Sequence, residues 1–195
     1  MSIPKILVFA GSIRTGSYNA RLAAIATRLL AAADVDVTRI SLQDYPLPIY
    51  DGDLEARSGA PPHAVKLKGL MMQHGGVFIA SPEYNASLAP LLKNAIDWIS
   101  RVREPNEPPL AAFRNRVFAL GAASNGTFGG YRSLMALRQV LELGCGALVL
   151  PEQVAVRDAA NAFDEDDNLR DPRAVEALRI VLTRLADAAR YRTVS

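Results

Sequence analysis

Apolar and polar positions alternate between two regimes along this chain. Ile6-Leu7-Val8-Phe9-Ala10 is a continuous apolar run ending at Gly11, the pattern of a strand buried on both faces. Leu22, Ile25, Ala26, Leu29 and Leu30 then recur at helical spacing. Residues 36–42 read as a second strand, followed by a proline-broken loop through Pro46 and Pro48. A weaker helical pattern covers residues 62–74. Gly75-Gly76 precede a third strand, Val77-Phe78-Ile79-Ala80. Leu88, Leu91, Leu92, Ala95, Ile96 and Ile99 stripe another helix, broken by Pro105, Pro108 and Pro109 before a fourth strand at residues 117–120. Leu134, Leu137, Val140 and Leu141 lead to Gly144, and Ala147-Leu148-Val149-Leu150 is a fifth strand. Asp171 and Pro172 suit the N-cap and first turn of a last helix carrying Leu178, Val181, Leu182, Leu185 and Ala189.

Five apolar strands alternating with five helices predict a doubly wound α/β fold: a five-stranded parallel sheet with helices on both faces. No repeat or linker interrupts it, so residues 1–195 are expected to form one domain. In such sheets the ligand lies beyond the carboxyl ends of the strands, at the switch in strand order. The loops after strands one, three and four are therefore the expected site.

Composition narrows the function. The 195 residues are 50% hydrophobic and 22% charged, with a net charge of +2, which excludes the composition of disorder. No basic stripe argues for nucleic acid. Apolar runs are too short for a signal peptide, which needs about 7–15 residues, or for a spanning helix of about 20. A lone cysteine, Cys145, permits no intrachain disulfide and no cysteine metal cluster. A soluble cytoplasmic protein without membrane contact is the expectation.

The first loop, Gly11-Ser12-Ile13-Arg14-Thr15-Gly16-Ser17-Tyr18-Asn19, leaves a strand and opens a helix. Free backbone N–H groups and the positive helix end converge there, joined by hydroxyls and by Arg14, whose charge suits a phosphate. The plainer alternative is a helix cap built from Ser17 or Asn19. A Walker loop would need Lys-Ser/Thr where Ser17-Tyr18 stand, and the dinucleotide pattern G-x-G-x-x-G fails at Ile13. A low-molecular-weight phosphatase would need a cysteine five residues before an arginine, and Cys145 has Pro151 nearby instead. The second loop, Ser81-Pro82-Glu83-Tyr84-Asn85-Ala86-Ser87, can meet the edge of a planar ligand with backbone groups, with Tyr84 as a flat wall; the alternative is a turn capped by Ser87. The third loop, residues 123–130, carries glycines that allow close backbone approach. A phosphate at one end and a flat heterocycle at the other fit flavin mononucleotide.

The motifs G-S-x-R-x-x-S-x-N, S-P-E-Y-N-x-S followed by L-K-N-A-I-D-W, and G-x-x-G-G-x-R-x-x-x-x-L-R-Q appear in that order. Together they make the chain similar to the NADPH-dependent FMN reductase family, from Lys5 to about Leu150. The resemblance implies a flavodoxin-like fold, bound FMN, NADPH or NADH as co-substrate, and a small acceptor: a quinone, azo compound, chromate or free flavin. It implies Ser12, Arg14, Thr15, Gly16, Ser17, Tyr18 and Asn19 around the phosphate, Pro82, Glu83, Tyr84 and Asn85 around the ring, and Ser124 and Gly126 nearby. It also implies a homodimer or homotetramer with the helix after Asn85 in the contact. Ala86 stands where the family often has Gly or Tyr, and Leu88-Ala89-Pro90 replaces a usual I/V-P-G.

With FMN carrying the hydride chemistry, no side chain is required as catalytic acid, base or nucleophile, and ping-pong turnover is expected. No metal site is expected. His63 and His74 read as surface side chains, Cys145 as buried filler, Trp98 as core or subunit contact, and residues 164–167 as a solvated loop. Arg132 suits either a salt bridge across subunits or a nicotinamide phosphate. The competing function is a flavodoxin-type electron carrier, but such carriers present acidic surfaces to their partners. This chain's isoelectric point is about 8.8, which favours an enzyme taking an anionic nucleotide. A flavin-free scaffold would leave the anion cradle without a purpose.

Overall fold

The computed structural model describes residues 3–192. Strand β1 (Lys5–Ala10) continues through the phosphate-loop candidate into α1 (Tyr18–Ala31), and β2 is Asp36–Arg39. Helices α2 (Gly52–Ser58) and α3 (Pro62–Met72) precede β3 (Gly76–Ala80). A hairpin of β4 (Glu83–Tyr84) and β5 (Ser87–Leu88) follows, then α4 (Pro90–Arg101), α5 (Ala111–Arg114) and β6 (Val117–Ala123). Helix α6 (Tyr131–Gln139) ends in a π turn at Val140–Gly144, and β7 (Leu148–Val156) leads to α7 (Pro172–Ala189).

The main sheet has the order β2-β1-β3-β6-β7 and every pairing in it is parallel. The expected doubly wound five-stranded sheet is therefore present. Its two faces follow the period of two along β1. Ile6, Val8 and Ala10 pack with Leu22 and Ala26 of α1 and with Leu178, Val181 and Leu185 of α7. Leu7 and Phe9 pack the other way, with Leu67 of α3, Leu92 and Ile96 of α4, and Leu134 and Leu137 of α6. Order reverses between β1 and β3, which is where a crevice forms. Register places Ala10 against Ala80 and Ala80 against Gly121, so the three strands release their loops abreast.

Several elements depart from the expectation for identifiable reasons. β2 stops at Arg39, because Ser41 caps a 3-10 turn at Leu42–Asp44. Helix α2 buries no residue, so it carries no apolar stripe to read; Asp51 caps it through the Asp53 N–H. β7 runs past Pro151. It pairs only with β6, at the sheet edge, and a register shift opposite Phe118 and Leu120 absorbs the proline. The Asp171 cap and first-turn Pro172 of α7 are as expected.

Arg116, 1% exposed, escaped the sequence reading. Its guanidinium donates to the Met71 (2.9 Å), Met72 (2.6 Å) and Ala111 (2.7 Å) carbonyls, closing the end of α3. Lys68, also buried, pairs with Glu107 beside it. The histidines are not surface side chains. His74 is buried, donates from Nδ1 to the Leu70 carbonyl at 2.6 Å, and has its pKa lowered by burial. His63 is half-buried against Tyr45, its Nδ1 buried with no hydrogen-bond partner. Trp98 is fully buried within this chain, its indole N–H donating to the Pro48 carbonyl at 2.8 Å and its ring edge-on to Tyr50. A charge introduced at Trp98 therefore tests folding, not assembly.

Cys145 is buried, and that burial pushes its thiol up to about 11. The stability that comes from keeping it neutral is complete below the unfolded thiol pKa of roughly 8.5 and is lost as pH rises toward the folded value. At pH 8 the native protein should react with iodoacetamide far more slowly than the chain in denaturant. Equal rates in mass-spectrometric time courses would show that the site is open.

Candidate functional site

The three loops are stitched together below the crevice before any ligand enters. The Gly11 N–H donates to the Ala80 carbonyl at 2.9 Å, and the Ser81 N–H to the Gly121 carbonyl at 2.7 Å. A Cβ on Gly11 would stand 3.0 Å from the Leu92 side chain and 3.2 Å from the Pro82 ring, so any larger residue there would have to push α4 or the second loop aside by a few tenths of an ångström. Asn19, 3% exposed, donates to the Ala123 carbonyl and accepts from the Ala123 N–H, both at 3.0 Å. That amide ties the start of α1 to the third loop.

At the first loop the Ser17 hydroxyl accepts from the Ala20 N–H at 3.3 Å and caps α1. The first turn of α1 holds no acidic residue, so its positive end is not neutralised locally. Ser12 is half-buried, while Arg14, Thr15 and Gly16 face solvent. The Arg14 guanidinium makes one long bond, 3.4 Å to the Gly16 carbonyl, and has no carboxylate partner among the described residues. An uncompensated guanidinium, a helix start and two hydroxyls make a fit for a phosphate.

The second loop is a two-residue hairpin. Asn85 (φ 49°) and Ala86 (φ 64°) are both left-handed, the conformation of a type I′ turn. Turn formation lifts Tyr84 to 51% exposure. Beneath it Glu83 faces inward, its side chain only 9% exposed. One carboxylate oxygen accepts from the Arg132 (3.0 Å) and Ser133 (3.3 Å) backbone N–H groups at the start of α6. The other takes two bonds from the Arg132 guanidinium, at 2.8 and 2.5 Å. Arg132 thus pairs within the chain, and Glu83 caps a helix whose own N-cap, Gly130, has no side chain to offer. The Ser133 hydroxyl completes the junction on the Ser81 carbonyl at 3.2 Å.

In the third loop Gly129 (φ 59°) and Gly130 (φ 89°) are left-handed, and added Cβ atoms would lie 2.9 Å from the Val156 backbone and 2.7 Å from Ala122 Cβ. The Ser124 hydroxyl accepts from the Gly126 N–H at 3.3 Å, and Phe128 stands 56% exposed with Arg132 5.4 Å above its ring. The crevice therefore has two tiers. Ser17, Asn19, Pro82 and the Glu83 carboxylate are buried and engaged with protein. Arg14, Thr15, Gly16, Tyr84, Asn85 and Gly126 are exposed; Ser12, Tyr18 and Ser124 lie half-buried between them. Ser133 and Asn125 were not anticipated; each engages a partner distant in sequence, Ser133 the Ser81 carbonyl and Asn125 the Ala160 N–H, which donates to its Oδ1 at 2.9 Å. A cavity of about 560 Å³ also opens at Ser12, lined by Arg39, Ser41, Asp44 and Tyr45. It extends from Ser12 and the start of α1 toward β2, and no residue of the second or third loop lines it.

Residues 4–161 match the family model described as NADPH-dependent FMN reductase. The chain is 36% identical over 177 residues to an NAD(P)H-dependent FMN reductase of Pseudomonas aeruginosa, covering 90% of this chain and 89% of that one. It is 35% identical over 138 residues to a quinone reductase of Escherichia coli, covering 70% and 69%. In fold it resembles a flavoenzyme NAD(P)H:(acceptor) oxidoreductase of Paracoccus denitrificans, with a TM-score of 0.79 and 24% identity over 97% of this chain and 99% of that one.

The left-handed Ala86 sets a stability test. An L-residue there costs roughly 1–2 kcal/mol, against about 0.4–1 kcal/mol for the extra freedom glycine brings to the unfolded chain. Ala86→Gly should therefore stabilise the protein, by up to roughly 1.6 kcal/mol in denaturant titration; a loss of stability would contradict the turn geometry.

Proposed function

This chain belongs to the NADPH-dependent FMN reductase family, and from that premise we propose that it is an FMN-dependent oxidoreductase that moves reducing equivalents from NADPH or NADH to a small-molecule acceptor. The observation that carries the reading is Arg14, a cation without a carboxylate partner among the described residues, beside a helix start with no acidic residue in its first turn, on the loop next to the reversal in strand order. Arg14, the hydroxyls of Ser12 and Thr15, and the backbone N–H groups of Gly16 and Tyr18 would hold the FMN phosphate; the Ser17 N–H is already engaged by the Arg14 carbonyl at 3.1 Å. Backbone groups of Pro82, Glu83, Tyr84 and Asn85 would meet the edge of the ring, with Ser124 and Gly126 opposite. Bound FMN supplies the two-electron chemistry: hydride acceptance from a nicotinamide and its delivery to an acceptor.

The chain's own residues position the reactants. Asn19 and Glu83 keep the loops in register, which is what orientation at a reacting centre requires. Exposed Tyr84 and Phe128 give flat apolar surfaces against which aromatic acceptors can lie. No side chain is given a proton-transfer role. Quinones are the favoured acceptor class on the strength of the Escherichia coli relative; azo compounds, chromate and free flavin remain in the same scheme. One open crevice visited in turn by nucleotide and acceptor implies ping-pong kinetics. We further propose a homodimer or homotetramer working in the cytoplasm. Among the described residues no helix is long and apolar enough to cross a membrane.

The purified protein with FMN should show flavin bands that bleach under nitrogen on adding NADPH and return on adding a quinone. Bound FMN that NADPH leaves oxidised would move the assignment to a flavodoxin-type carrier, and failure to bind flavin would remove the reading altogether. Arg14→Ala should weaken FMN binding by roughly 1.5–3 kcal/mol, the range for hydrogen bonds to charged groups, in a fluorescence titration. Unchanged affinity would exclude Arg14 from the phosphate site.

A further inference from the structure

The acidic stretch 164–167, which composition casts as a solvated loop, is fastened to α1. From the end of the first turn of α1, Arg21 donates through Nε to the Asp167 carboxylate at 2.5 Å and through a terminal nitrogen to the Asp164 carbonyl at 3.3 Å. Arg28, farther along the helix, reaches the Asp167 carbonyl at 2.7 Å and Asn168 Oδ1 at 3.0 Å. The Arg21 guanidinium also lies 4.3 Å from the centroid of the Phe163 ring. Phe163, 5% exposed, stacks with Tyr18 at 6.2 Å and an interplanar angle of 10°. Tyr18 in turn has the Arg14 guanidinium 5.6 Å from its ring centroid. Arg14, Tyr18, Phe163 and Arg21 thus form one row, two stacked rings with a guanidinium at each end.

The two cations end that row in opposite electrical states. Arg21 is matched by Asp167, whereas Arg14 meets a ring and, among the described residues, no carboxylate. Arginine carries about 2 kcal/mol of side-chain rotamer entropy. An ion pair would order it but would compete with an incoming anion; a ring face orders it and leaves the charge available. We infer that Tyr18, held from behind by Phe163, is a positioning residue that aims Arg14 at a phosphate monoester, so the loop after β7 sets how strongly this site prefers a phosphorylated flavin to an unphosphorylated one. The inference rests on the reading of Arg14 as the phosphate ligand.

The test titrates the full-length apoprotein with FMN and, separately, with riboflavin, which lacks only the phosphate. Wild type, Arg14→Ala, Tyr18→Leu, Tyr18→Phe and Phe163→Leu are compared as the ratio of the two affinities. The wild type should favour FMN, and Arg14→Ala should remove most of that preference. Tyr18→Leu should lower it roughly two- to five-fold, the scale of an exposed cation–π contact, with riboflavin affinity unchanged. Tyr18→Phe should retain it, and Phe163→Leu should shift it in the same direction as Tyr18→Leu. A preference untouched in Tyr18→Leu while Arg14→Ala loses it overturns this inference alone. So does equal weakening of both flavins, which marks Tyr18 as merely structural. A preference untouched in Arg14→Ala overturns the phosphate reading beneath it. Should Tyr18→Leu fail to fold, the ratio in Phe163→Leu decides.

Discussion

A buried amide has to be satisfied, and in this molecule that requirement locks the crevice. Asn19 is the second residue of α1, enclosed by protein, and both of its hydrogen-bonding ends close on the backbone of Ala123. Leaving a buried polar group unpaired costs about 1–3 kcal/mol, so α1 cannot start elsewhere without also releasing the end of β6. The direction of the helix, the spread of the first loop and the height of the third are therefore one constraint. Glu83 does the same between the second loop and α6, where its carboxylate stands in for the cap that Gly130 lacks.

These junctions divide labour within the crevice. Polar side chains nearest the sheet are occupied by protein groups, and those at the rim are left open, Arg14 above all. Such a layout pre-organises backbone donors while leaving the rim adaptable, which suits a site whose chemistry belongs to its cofactor and whose acceptors share flatness more than functional groups.

The sheet was legible because parallel strands buried on both faces must be continuously apolar; residues 6–10, 77–80 and 117–120 could be little else. The β4–β5 hairpin was hidden because its turn is Asn85-Ala86 and lacks the glycine that normally advertises a type I′ turn. Helix α2 was silent because it buries nothing, and the run of β7 was obscured by Pro151. At the site, loop positions and the solvent-facing Arg14 could be read from spacing. The engagement of Asn19 and Glu83 could not, since each depends on a partner such as Ala123 or Ser133 about 50 to 100 residues away. Arg116 and Phe163 escaped for the same reason: their meaning lies in contacts, and neither belongs to a local pattern.

The span of the Arg21–Asp167 contact, 146 residues, bears on the order in which the molecule is made. Synthesis delivers the phosphate loop near the beginning and its buttress near the end. A nascent chain that has emerged only as far as β6 holds Arg14 but neither Phe163 nor Asp167. The contacts behind Tyr18 are thus completed late, only after the fifth strand of the main sheet has left the ribosome.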